Sequence, residues 1–161
     1  MAARDVALIG VLIFTFAIGF FIVHFAFNTI TTDMIANDQI NSSSAAVGQL
    51  ESVEKLTNRL DYVVFGLFVA LVLSLIITGW FIGGSPIFMF VYFIVVIVAV
   101  LVSFILSNVW ETITTNAQFG TTLLSFSMSN NLMLNLPIYM TIVGFIGLIV
   151  MFAKPYFGGG E

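Results

Sequence analysis

His24 is the only ionisable side chain inside an uncharged run that reaches from Val6 to Ile30. An imidazole in such surroundings has two plausible chemistries. It can relay protons, which needs further acids or bases within reach, or it can hold a neutral hydrogen bond between packed helices. Its spacing favours the second. Ala3, Gly10, Ala17, His24 and Thr31 recur every seven residues, and on a helix such a series stays near one face, drifting ~20° per heptad. Small residues along one face let two helices approach closely in lipid. His24 therefore reads as a packing residue within a small-residue stripe, its neutral ring bonding across the contact. No second acid or base lies in any of the long apolar runs to complete a relay.

The same theme recurs downstream. Gly66, Ala70, Ser74 and Thr78 are four apart, as are Ala99, Ser103, Ser107 and Glu111, while Thr141, Gly144 and Gly147 are three apart. Each series puts one small, weakly polar ridge on a helix whose other faces are Leu, Ile, Val and Phe. Four such ridges could close a small bundle, or some could serve neighbouring copies. The expected helix-packing residues are thus Gly10, Ala17, His24, Gly66, Ala70, Ser74, Ala99, Ser103, Gly144 and Gly147.

Other chemistry has no visible machinery. The sequence shows no phosphate-cradling glycine loop, no acidic pair at helical spacing inside an apolar run and no Ser, His and Asp set. One histidine with carboxylates confined mostly to one loop does not make a metal site, and without cysteine there are no thiolate ligands or disulfides. A net charge of −4 without a basic cluster argues against nucleic acid, whose phosphates need Lys and Arg. Channels and transporters usually show a polar path or broken spans, and the apolar runs here are unbroken. The expectation is a protein that is not an enzyme and uses no cofactor.

The elements that carry these residues follow from the charge distribution. Charged residues make up 7% of the 161 and hydrophobic ones 60%, whereas a soluble domain is roughly a quarter charged. Four charge-free runs, 6–30, 62–82, 86–108 and 137–153, are long enough to cross a hydrocarbon core of ~30 Å. The expected fold is all-α, a single membrane domain with four transmembrane helices and both chain ends on one side. The first run is too long for a secretory signal, and Asp5 spoils its positive flank, so it reads as a retained span. Gly83, Gly84, Ser85 and Pro86 stop one helix and start the next, predicting an antiparallel hairpin of spans two and three. Tyr62, Trp80, Trp110 and Tyr156 fall at span ends as an aromatic belt would, and Lys154 can snorkel to headgroups. Arg4 and Lys154 on one side balance Lys55 and Arg59 on the other, so only the free amino group tips the chain ends toward the cytoplasm.

Two polar segments remain, 31–61 and 109–136. In the first, TTDMIANDQINSSS reads as turns, and from about Ser44 a helical face of Ala46, Leu50, Val53, Thr57 and Leu60 begins. Glu51 and Lys55 pair on its opposite side. One amphipathic helix is expected to run from here, unbroken, into span two. The second segment is nearly uncharged and half apolar, with Leu123, Leu124, Phe126, Met128, Leu132 and Met133 after Gly120. It is expected either to be a protein-docking segment in the interface, with chains such as Phe126 dipped into acyl tails and Thr or Ser facing headgroups, or to form a re-entrant or surface loop.

Taken whole, the 18 Phe residues, the scarcity of charge, the lack of cysteine and a last span written LPIYMTIVGFIGLIVMFAKP carry a likeness of type. The chain resembles the small integral membrane proteins of tailless, icosahedral, membrane-containing bacteriophages with double jelly-roll capsids, the corticovirus-like and tectivirus-like groups. The resemblance implies a structural protein of the virion's internal membrane that ties lipid to capsid proteins, with no active site. Two other readings stay open: an accessory subunit of a host membrane complex, then in a bacterial inner membrane, and a holin-like lysis protein. The expected partners are the lipid bilayer and other copies or other membrane proteins.

Overall fold

A run as apolar as 6–30 can satisfy its backbone in lipid only by forming a helix, and it does so beyond the predicted end. In a computed structural model that describes residues 2–82 and 86–157, α1 spans Ala2–Ile35. The extra turn is polar, and its hydroxyls bond back into the helix: Thr32 Oγ1 donates to the Asn28 carbonyl at 2.8 Å. Helix α5, Pro86–Thr114, likewise runs past Asn108, with Thr112 Oγ1 donating to the Asn108 carbonyl at 2.8 Å. Threonine in an apolar helix ties itself to the preceding turn and so does not end it.

Between these long helices lie α2, Asp38–Asn41, α3, Ser44–Thr57, and α4, Leu60–Ile82. Helix α3 starts where the sequence places it, with Ser43 Oγ accepting from the Ala46 amide. Its face of Ala46, Leu50, Val53 and Thr57 turns inward, toward α1. The expected unbroken helix is interrupted at Asn58 and Arg59, where the Arg59 amide reaches back only three residues to the Leu56 carbonyl at 3.1 Å. Thr57 Oγ1 donates to the Glu54 carbonyl at the same turn, so the tightening is local. Ser44–Phe81 still continues as one apolar helical stretch.

After α5 come a 3₁₀ turn at Ala117–Phe119, α6, Gly120–Ser125, α7, Ser127–Leu134, and α8, Leu136–Phe157. Helices α7 and α8 meet at 72°. Pro137, in the first turn of α8, has no amide proton and its ring crowds the preceding turn, so one straight helix cannot form there. The Leu134 carbonyl freed at the break accepts from Ser107 Oγ of α5 at 2.9 Å.

Among the described residues all regular structure is helical. Three stretches, Val6–Ile35, Ser44–Phe81 and Met89–Thr114, are long and apolar enough to cross a membrane, and the bent α7–α8 pair makes a fourth if counted as one. Helix α1 packs on α4 and α5, and α8 packs on the same two. Contacts such as Phe68 with Tyr139 and Gly79 beside Val150 show α4 and α8 running in one direction. Val96 beside Gly144 and Tyr92 beside Gly147 show α5 running in the other. The predicted hairpin turn, Gly83 to Ser85, lies outside the described residues. The helices that it joins, α4 and α5, are not close neighbours but sit across the bundle diagonal, with α1 and α8 between them.

Candidate functional site

Asp61 is the one carboxylate buried among the described residues, at 3% exposure. It stands in the first turn of α4, and its two oxygens accept from successive backbone amides at the start of α7. Met128 N–H bonds Oδ2 at 3.0 Å and Ser129 N–H bonds Oδ1 at 2.7 Å. The first amides of a helix have no partner within it, and the positive end of its dipole favours an anion. Asp61 therefore caps α7 from a distant part of the chain. Sequence reasoning placed Asp61 only at the end of the polar segment 31–61 and gave it no role.

Two further bonds hold the same segment. Trp110 Nε1 donates to Asn130 Oδ1 at 2.9 Å, and Tyr139 OH reaches Asn131 Oδ1 at 3.4 Å. Aromatic packing completes the closure. Phe21 meets Trp110, Phe119 and Phe126 at ring-centroid distances of 5.4, 5.4 and 5.6 Å, and Phe25 meets Phe119 at 4.8 Å. Pairs at such separations contribute ~0.5–1.5 kcal/mol each beyond area burial. The expectation that Phe126 dips into acyl tails is thus corrected: it is wholly buried inside the bundle end. Trp110, expected at the membrane interface, is also wholly buried, because its ring and its indole N–H both find partners in the folded-back segment.

His24 is buried in the same place, its ring 5.2 Å from that of Phe126. The expected hydrogen bond across the helix contact is not what its Nδ1 makes, since that atom has no hydrogen-bond partner among the described residues. Ring packing on Phe126 takes its place. Thr122 Oγ1 and Ser129 Oγ, on α6 and α7, are buried without a partner as well. None of this assembles a nucleophile with a base, and no cluster of three metal-ligating side chains occurs among the described residues.

The small-residue ridges divide into two kinds. On α1, Gly10, Ala17, His24 and Thr31 all point into the bundle, as do Ala99 and Ser103 on α5. The side chain of Ala3 lies outside the described set. Gly144 and Gly147 form a notch on α8. A Cβ on Gly144 would overlap Val96 and stand 3.1 Å from its Cγ2, and one on Gly147 would overlap the Tyr92 hydroxyl and stand 2.8 Å from its Cζ. Helix α4 differs. Its buried face is Val64, Phe68 and Leu75, so Gly66 and Ala70 face outward, a Cβ on Gly66 would meet nothing within 4 Å, and Ser74 lines a groove shared with Leu8, Ile9 and Leu12 of α1. The expectation that this ridge packs is not met inside the chain, because larger apolar residues fill the inward face. Tyr62 and Trp80 are exposed at opposite ends of α4. The side chains of Lys154 and Tyr156 lie outside the described set.

The arrangement can hold helices together and present a small-residue face. Comparison with known proteins finds no matching family model, no matching curated protein and no matching solved structure.

Proposed function

We propose that this protein is a structural membrane protein that crosses the bilayer four times and works by stoichiometric association within a larger assembly. The observation that carries this reading is the outward pair of small residues, Gly66 and Ala70, on α4. The comparable residues of α1, α5 and α8 are used inside the chain. In lipid, helices associate through close packing, since there is little hydrophobic drive between them. An uncovered small-residue face on one helix of a closed bundle suits a contact with another membrane protein or another copy. Helix α3 fits an amphipathic extension at the membrane surface, and α6 and α7 fit segments held at the interface by their docking on the bundle.

The assembly we favour is a virion with an internal membrane, in which this protein links the lipid vesicle to capsid proteins. The support is the likeness of type in its Phe-rich, charge-poor spans. The test replaces Gly66 and Ala70 together by Leu, which makes α4 more apolar and wider on its outer face, where a Cβ on Gly66 would meet nothing within 4 Å. The variant is expected to insert and fold as the parent does but to lose copies from the assembly, read by native mass spectrometry or cross-linking of isolated particles. A parent that is a free monomer in mild detergent and absent from every isolated particle would sink the reading. Timed collapse of the membrane potential on expression would put a lysis protein in its place.

A further inference from the structure

We propose that the crook between α7 and α8 binds the glycerol–ester region of a neutral or zwitterionic membrane lipid. This rests on the reading that α4 and α8 cross a bilayer. A groove of about 410 Å³ opens there, lined by Phe65, Ser127, Met128, Asn131, Leu132 and Tyr139. That volume is within the range of small-molecule sites. With α8 spanning, the 72° bend lays α7 near the membrane plane, so the crook falls at the boundary between headgroups and acyl chains.

The lining matches that boundary. Phe65, Met128 and Leu132 supply an apolar wall. Asn131 uses its side-chain carbonyl to accept from Tyr139 OH and Asn135 Nδ2, both at 3.4 Å. Its amide nitrogen donates to nothing among the described residues, and neither does the exposed Ser127 hydroxyl. The groove therefore presents spare donors beside an apolar wall. Ester carbonyls are acceptors only, and they sit at the top of an acyl chain. An anionic group is the poorer fit. No Lys, Arg or His lines the groove, and the α7 amides of Met128 and Ser129, the natural anion seat, are taken by Asp61.

The experiment uses the full chain, extracted from nanodiscs of equimolar phosphatidylcholine and phosphatidylglycerol and weighed by native mass spectrometry. Ser127→Phe fills the groove from its exposed side without touching an internal bond, and Asn131→Leu removes the amide donor. The parent's monomer peak should retain one phosphatidylcholine, and each variant should retain about tenfold less, with an unchanged helical melt for Ser127→Phe. Equal retention by parent and Ser127→Phe, no retained lipid in the parent, or a preference for phosphatidylglycerol would each overturn the site. Because retention is read on the monomer peak and association on the oligomer peaks, a parent that keeps its lipid but shows no oligomer peak would refute the assembly reading alone.

Discussion

Gly144 shows how one missing methyl group can decide a helix contact. Val96 is β-branched and nearly fixed in χ1, so it cannot swing away from a Cβ placed in the α8 notch. Gly144→Ala is expected to destabilise the bundle by ~1–3 kcal/mol through overpacking. Adding Val96→Ala should return a good part of that loss, although Val96→Ala alone is itself destabilising. Thermal unfolding in mild detergent, followed by circular dichroism across the double-mutant cycle, checks this; additive losses would mean that the two side chains do not meet. Sequence pattern found this notch, since Thr141, Gly144 and Gly147 share a face, but it could not name the occupant. It also found His24 on the small-residue face of α1, yet gave its ring a hydrogen bond. What the ring meets is Phe126, more than a hundred residues away in the chain.

At the scale of elements, the shortest helices depend most on borrowed partners. An isolated eight-residue helix is unstable in water, and α7 is held by Asp61, Trp110 and Ser107 from two other helices. Asp61→Ala should leave one buried and one half-buried amide without an acceptor, a cost of ~1–3 kcal/mol. Amide hydrogen exchange over Ser127–Leu134 is then expected to rise about tenfold or more, while exchange in α5 stays as it was. Equal protection in parent and variant would show that the cap is not what orders α7. This link was illegible beforehand for a physical reason. The carboxylate sits in a charge-rich stretch, and backbone amides carry no residue type for a pattern to catch. Helix starts were easier: Ser43 is a good cap, and α3 begins directly after it. The inward face of α4 was harder, because a helix apolar all round gives no moment to choose by. Its small-residue ridge looked the same as those of α5 and α8.

For the whole molecule, four helices alternating in direction put the start of α1 and the end of α8 at one end of the bundle, with α3, α6 and α7 at the other. Reporter fusions after Glu161 and within Gly83 to Ser85 are therefore expected to agree with one another and to oppose fusions at Ser43 and Gln118. A mismatch between the first two would remove one crossing. The diagonal placement of α4 and α5 also bears on biosynthesis. A ribosome delivers these two in succession through a connection of only three residues, yet neither is the other's packing partner. On the proposed four-crossing reading, they enter the bilayer as a pair with its inner faces unmatched. Helix α1 arrives early and covers part of each; Tyr92 and Val96 keep facing lipid until the glycine notch of α8 is made. On that reading closure of this bundle comes late in translation, and a ribosome stalled before Leu136 is expected to leave an inserted but open precursor.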